Sequence, residues 1–357
     1  MKVAFAGSFA VRLAEQVRTR LTDPCEIVTG DEAEILPALA DADVLVSMGF
    51  SRTMADAGGR LRLIQVPGAG LDRIDHGALK PGMFLANVYG HEVGIAEYVI
   101  GTMLALTRNL QSLDARLRNG EWHSQWAVGS PAPPLWPELA GKTLGILGFG
   151  HIGEAIARRA RAFDMKIVAI RRQAQPQPPD GVSFIGGPER LDEVLYASDY
   201  LAVTLSRCHA ATLSLSPETR GLLDERRLGL MRPPACLINV ARAEIVEEDA
   251  LYRALSTGTL AGAALDVWWR YPTTPGRLLP STQPFHQLPN VIMTPHVSGW
   301  TEGMVEARVK IIADNTGQPA GSRRSTLSLR SAANCRTTSP AFPPGYAVAW
   351  PHSASTP

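Results

Sequence analysis

At 357 residues the chain is long enough for two domains of ordinary size. Its 35 Lys and Arg against 34 Asp and Glu leave a net charge of +1, which excludes a nucleic-acid or anionic-membrane binder held by bulk charge. With 45% hydrophobic and 19% charged residues it is neither a disordered nor a collagen-like chain.

The opening Met1-Lys-Val-Ala-Phe-Ala-Gly7 could pass for a secretory leader, but Arg12 and Glu15 interrupt it and no small-residue cleavage pattern follows. A first β-strand over Lys2–Ala6 is the better reading. A helix-period segment at Val11–Leu21 and β-type runs at Val44–Met48 and Leu61–Val66 continue the pattern. That alternation predicts parallel strands joined by crossover helices. Over Glu92–Leu110, apolar residues at Val93, Ala96, Val99, Ile100, Met103, Leu104 and Leu106 surround much of a helix, predicting one wedged between two bodies of protein at a domain junction. Its apolar core, Tyr98–Thr107, is about half of the roughly 20 residues a bilayer span needs, so no transmembrane segment is predicted. Pro131, Pro133, Pro134 and Pro137 then predict a rigid surface connection.

A second series follows at Thr143–Leu147, Lys166–Ile170, Leu201–Leu205, Leu237–Val240, Gly262–Val267 and Val291–Thr294, and these six strands fit one doubly wound nucleotide-binding sheet. Residues 316–357 contain no Asp or Glu, four Arg, and 21 Ser, Thr, Pro or Gly among 42, the composition of a poorly ordered tail. Cys25, Cys208, Cys236 and Cys335 form no CxxC pair, which suggests neither a disulfide framework nor a zinc site and fits a reducing cytoplasm. The eight histidines show no HxxxH or HExxH spacing, so no metal site is predicted.

Thr143-Leu-Gly-Ile-Leu-Gly148-Phe-Gly150-His-Ile-Gly153 places a GxGxxG after a strand and at the start of a helical pattern carried by Ile152, Ile156, Ala160 and Phe163. Gly148 would permit the tight turn and Gly150 close approach to a pyrophosphate. Gly153 would let helix and strand pack, and the helix N-terminus favours the anion. At the end of the next strand, where Asp or Glu would accept a hydrogen bond from a ribose 2′-hydroxyl, stand Arg171 and Arg172. A guanidinium pairs instead with a 2′-phosphate, so NADP is favoured over NAD; the alternative is two solvated loop arginines beside a nonselective site.

Three later segments, Asn239-Val240-Ala241-Arg242, Leu265-Asp266-Val267 and Thr294-Pro295-His296, each follow a predicted strand, at the sheet edge where open α/β folds bind ligands. Alone, each has a plain structural reading: Arg242 a surface cation, Asp266 a helix cap, His296 a satisfied loop residue. With GFGHIG they occur in the order of the D-2-hydroxyacid dehydrogenase family, which the chain resembles over roughly residues 40–315. Gly68-Ala69-Gly70-Leu71-Asp72, Ala96-Glu97, Glu121-Trp122 and Pro217-Glu-Thr-Arg220 add to the match.

The resemblance implies an α/β fold with two doubly wound parallel-sheet domains. A flavodoxin-like substrate domain would comprise residues 1–102 and 297–315, a Rossmann dinucleotide domain residues 103–296, and a tail 316–357. It implies that Arg242 grips the substrate carboxylate and polarises the 2-keto oxygen, and that His296 protonates the forming hydroxyl. Gly148, Gly150, His151, Ile152, Gly153, Arg171, Arg172, Val240 and Ala241 would hold the dinucleotide, with Asp266 orienting its nicotinamide side. Backbone donors of Gly68, Ala69 and Gly70 would help hold the carboxylate of a glyoxylate- or hydroxypyruvate-like keto acid. The resemblance also implies a homodimer.

Two features depart from the family pattern. Where a glutamate usually pairs with the histidine, five residues after Asp266, stands Tyr271, which predicts a lower pH optimum for reduction unless Glu302 or another acid substitutes. Ser206–Pro217 is about eight residues longer than the usual connection and would sit beside the cofactor cleft. These departures leave open a catalytically silent dinucleotide sensor on the same scaffold. A methyltransferase, which shares the glycine turn, gives no reason for NVAR or TPH.

Overall fold

The computed structural model describes residues 1–71, 73–129, 133–173, 177–205 and 219–317, with the backbone of Arg330–Ser331. In the first half, β1 (Lys2–Ala6), β2 (Glu26–Gly30), β3 (Val44–Ser47), β4 (Leu63–Gln65) and β5 (Phe84–Ala86) pair in parallel in the order β5-β4-β3-β1-β2. Parallel sheets need cover on both faces, and β3 is accordingly buried at every position. Helix α1 (Ser8–Arg18) supplies cover through Ala10, Leu13, Ala14 and Val17, whose spacing of three and four makes one apolar stripe; α2 (Arg52–Ala57) buries Met54 and Ala55.

The segment expected to form one junction helix over 92–110 forms two, α3 (Glu92–Thr107) and α4 (Leu110–Arg118). Asn109 stands between them in the left-handed region at φ 50°, where an asparagine is tolerated but a helix cannot continue. Helix α3 is packed closely on more than one side. Ile95, Val99, Ile100 and Met103 of α3 share a core with Ile152 and Ile156 of α5 (His151–Arg161), and a Cβ on Gly94 would lie 2.6 Å from Thr301.

The second sheet contains β6 (Thr143–Leu147), β7 (Lys166–Ile170), β8 (Phe184–Gly186), β9 (Tyr200–Val203), β10 (Cys236–Asn239), β11 (Gly262–Leu265) and β12 (Val291–Met293). Helices α6 (Leu191–Ala197), α7 (Glu225–Leu228) and α8 (Glu248–Ser256) cover it together with α5. All its pairings are parallel, in the order β12-β11-β10-β9-β6-β7-β8, and the chain reverses direction across the sheet between β6 and β9. The six strands expected there are seven, because β8, only three residues at the sheet edge, is too short to show a period. Likewise β2 and β5 of the first sheet carry too weak an alternation to be read from sequence.

Several ladders stop one or two residues before the predicted strand ends: at Val203, Asn239, Leu265 and Met293. The residues that follow, Thr204, Val240, Asp266 and Thr294, leave the sheet to build the site. Helix α9 (Glu302–Gly317) then crosses to the first sheet, burying Val309, Ile312 and Ala313 with Val3, Phe5 and Val46. Its Asn315 side chain donates a 2.7 Å hydrogen bond to Gln65 of β4, both amides being buried. Arg330–Ser331 pairs antiparallel with β5. The 206–217 extension, Asp72 and the rest of the tail lie outside the described residues. Among those described, no helix is long and apolar enough to cross a membrane.

Candidate active site

A cavity of about 450 Å³ opens between the C-terminal edges of the two sheets. Such edges bind ligands where strand order reverses, because neighbouring connections there diverge to opposite faces and leave a crevice. Both reversals contribute: Phe9 and Met48 follow β1 and β3, and Thr204 and Ile152 lie beyond β9 and β6. Gly68, Ala69, Gly70, Val240, Ala241, Arg242 and His296 complete much of the wall. Eight of the residues expected from sequence, those seven and Ile152, therefore share one space.

The glycine turn follows β6 as expected. Gly148 has φ 109°, and a Cβ there would come within 2.8 Å of the Leu205 backbone nitrogen. Gly153 would bring one within 2.8 Å of the Gly148 carbonyl oxygen. Gly150 differs: a Cβ there would meet nothing within 4 Å, so its lack of a side chain keeps space open at the N-terminus of α5. Packing thus requires two of the glycines, while the third leaves the helix N-terminus accessible to a phosphate. Thr204 pins the turn by donating to the carbonyl of Gly148 at 2.7 Å. His151, beside Gly150, packs against Tyr89 with ring centroids 5.5 Å apart and the rings tilted by 58°. These residues fit a dinucleotide. Arg171 and Arg172 follow β7 directly, outside the cavity lining.

Arg242 leaves β10 on a turn stapled by Asn239, whose side chain accepts from the Ala241 N–H and donates to the Arg242 carbonyl. One guanidinium nitrogen donates to the Ala241 carbonyl at 2.8 Å, which aims the fork. His296 has φ 58°, a left-handed conformation rare for a non-glycine residue and sustained only where the surroundings impose it. Here Asp266 imposes it. Fully buried, its carboxylate accepts from the Thr294 hydroxyl at 2.6 Å and from the Val297 and Ser298 N–H groups at 2.8 and 2.9 Å. Tyr98 bonds the same Thr294 hydroxyl at 2.7 Å, and the Trp268 indole donates to the Thr294 carbonyl at 2.8 Å. Burial pushes the Tyr98 phenol up to about 12, so it stays a neutral partner. Asp266 does not line the cavity; its carboxylate holds the loop that presents the histidine.

The His296 Nδ1 lies 2.8 Å from the Tyr271 hydroxyl. That hydroxyl also accepts from the Trp268 N–H at 3.3 Å and has no charge to stabilise an imidazolium. Desolvation where the ring packs into the wall pulls the imidazole's pKa below its ordinary value; Asp266 opposes and Arg242 reinforces the shift. Desolvation raises the phenol of Tyr271.

Sequence reading missed His91, Arg308, Arg73, Phe9, Met48 and Trp300 in the cavity wall. His91 precedes the junction helix in Gly90-His-Glu, and Arg308 lies on the helical surface of α9, so neither carries a motif.

Comparison with known proteins agrees with this fold. Residues 100–298 match the D-isomer specific 2-hydroxyacid dehydrogenase, NAD binding domain family. The glyoxylate reductase of Thermococcus onnurineus is 34% identical over 299 residues, covering 80% of this chain and 83% of that one. Among solved structures, the 2-hydroxyacid dehydrogenase of Ketogulonicigenium vulgare superimposes with a TM-score of 0.73 at 28% identity, over 92% of this chain and 98% of that one. The NADPH-dependent glyoxylate/hydroxypyruvate reductase of Sinorhizobium meliloti, in complex with citrate, gives 0.69 at 28% identity, over 88% and 92%. The matched domain is a nicotinamide-dinucleotide-binding one, and the chain belongs to the D-isomer-specific 2-hydroxyacid dehydrogenase family.

Proposed function

We propose that the protein reduces a small 2-keto acid, such as glyoxylate or hydroxypyruvate, to its D-2-hydroxy acid, with NADPH preferred over NADH. The observation that carries this reading is that Arg242 and His296 open on one cavity whose described lining holds three arginines, two histidines and no carboxylate. Such a wall favours an anionic substrate. Arg242 presents a planar fork to the carboxylate and polarises the keto oxygen, and the Gly68–Gly70 backbone closes the other side. The dinucleotide, when bound, supplies hydride from nicotinamide C4 to the carbonyl carbon. His296, as imidazolium, delivers the proton to the forming hydroxyl.

Preference for NADPH rests on Arg171 and Arg172, which replace the acceptor carboxylate expected after the second strand of such a sheet. A panel of 2-keto acids offered with NADPH and with NADH, followed by the absorbance of the reduced cofactor, tests both parts. Turnover is expected with either cofactor, and the Arg171→Ala/Arg172→Ala variant should lose about 10- to 100-fold of the NADPH advantage. An equal response to both cofactors in the parent contradicts the preference. Dinucleotide binding without any turnover would instead favour the silent sensor, a reading to which the neutral Tyr271 lends support. The homodimer would cover Trp122, Trp126, Val128 and Leu135, all exposed on the connection between α4 and β6.

The pH dependence follows from the desolvated imidazole of His296, which has a neutral phenol rather than a carboxylate beside it. Reduction needs the protonated imidazole, which exists below its pKa; with that pKa depressed, activity is lost as pH rises through a window on the acid side of the ordinary histidine range. Tyr271→Glu sets a carboxylate beside the ring and should carry the alkaline limb of kcat/KM upward by about one to three pH units. A limb that stays in place argues against His296 as the proton donor.

A further inference from the structure

We infer that Arg308 and His91 form a second anion-binding subsite in this cavity, and that the preferred substrate is a 2-keto acid bearing a second anionic group, carboxylate or phosphate. The inference rests on the reading of the cavity as a keto-acid site and names the substrate class.

Arg308 on α9 and His91 at the start of α3 both line the cavity, and Arg308 Nε and His91 Nδ1 are buried with no hydrogen-bond partner among the described residues. A buried guanidinium N–H left unpaired is costly, and natural proteins pair nearly all such groups. No ion pair reaches Arg308 among the described residues. Glu92, whose charge acts on Arg308, accepts from the Gly90 N–H instead. Desolvation brings Arg308 down to about 10, still cationic at neutral pH, and with the Arg308 charge brings His91 down to about 4.

The approach is built by glycines. A Cβ on Gly90 would stand 2.7 Å from Ala307 Cβ, and one on Gly299 would stand 3.3 Å from His91 Cβ. Larger residues there would push α9 and the 298–301 segment away from His91. Phe9 underlies the Arg308 guanidinium at 5.6 Å and packs against Trp300 at 5.7 Å, so aromatic faces limit its movement without using its donors. Arg73, the third arginine of the wall, is already paired with Glu32 at 2.7 Å. With Arg242 assigned to the C1 carboxylate, Arg308 and His91 remain in the same lining to receive a second charge.

The test is calorimetric titration of the protein with oxidised dinucleotide and D-lactate, D-malate or D-3-phosphoglycerate, in the parent, Arg308→Leu, Arg308→Lys and His91→Gln. The parent should bind at least one of the two multiply charged acids at least about tenfold more tightly than D-lactate. Comparing malate with phosphoglycerate tells which anion fits. Arg308→Leu should erase the ratio, His91→Gln should reduce it, and Arg308→Lys should retain part of it. A merely structural role would weaken all three ligands together and leave the ratio intact. Equal affinity for all three acids in the parent, or a preference that survives Arg308→Leu, overturns the inference. If Arg308→Leu does not fold, an undiminished ratio in His91→Gln and Arg308→Lys does so. The keto-acid reading fails separately, if the corresponding keto acids bind and none is reduced.

Discussion

Alanine in place of His296 is expected to lower kcat/KM for 2-keto acid reduction by about 10²- to 10⁴-fold, the usual contribution of a positioned general acid. Dinucleotide affinity should change little, because the substitution leaves the α5 turn and its Thr204 and Tyr89 contacts in place. Folding should also survive. Among the described residues the ring's hydrogen-bond partner is the exposed Tyr271, and the loop is held by Asp266 through the backbone of Val297 and Ser298, which the substitution leaves in place. Asp266→Asn makes the contrast, since an amide cannot accept from all three donors now facing the carboxylate. It should cost stability and activity together. Steady-state kinetics beside thermal unfolding separates the two outcomes; a His296→Ala enzyme that turns over at the parental rate removes it from the chemistry.

The second large effect divides the glycines of the turn. Gly148→Ala should destabilise the fold by about 1–3 kcal/mol from backbone strain alone, with a further penalty of similar size from overpacking. Its Cβ would meet backbone atoms of Thr204 and Leu205 at 2.8–2.9 Å, and no rotamer change can move them. Gly150→Ala should unfold at the parental temperature, because its Cβ meets no protein atom within 4 Å, yet bind dinucleotide at least about tenfold more weakly if the pyrophosphate takes that open space as proposed. Denaturant unfolding paired with dinucleotide titration reads both. Unchanged affinity in Gly150→Ala would place the cofactor elsewhere.

The parts legible in sequence were those written locally. The glycine turn, Asn239–Arg242 and Thr294–His296 each announce themselves within a few residues, since a turn and the strand before it form one local unit. Strand β8 was missed because Phe-Ile-Gly is too short for periodicity, and the break at Asn109 because apolar residues continue on both sides of it. Asp266 was legible as a site residue, but its bonds to residues 28 to 32 positions away become visible only when the chain folds. His91 and Arg308 were illegible for a related reason: 217 positions apart, they meet only because α9 crosses back to the first sheet. Tyr271 is the instructive intermediate. Sequence showed that the usual carboxylate was missing, and the structure shows a neutral hydroxyl at the imidazole in its stead.

Whether Arg242 and His296 act on one carbonyl is decided by a double-mutant cycle on kcat for 2-keto acid reduction, using Arg242→Ala, His296→Ala and the double variant. Residues that work as a unit on the same reacting group lose little more together than the more damaging one loses alone. The double variant should therefore be about as slow as the slower single variant. Losses that multiply, with each substitution costing its full factor in the absence of the other side chain, would show the guanidinium and the imidazole serving separate events.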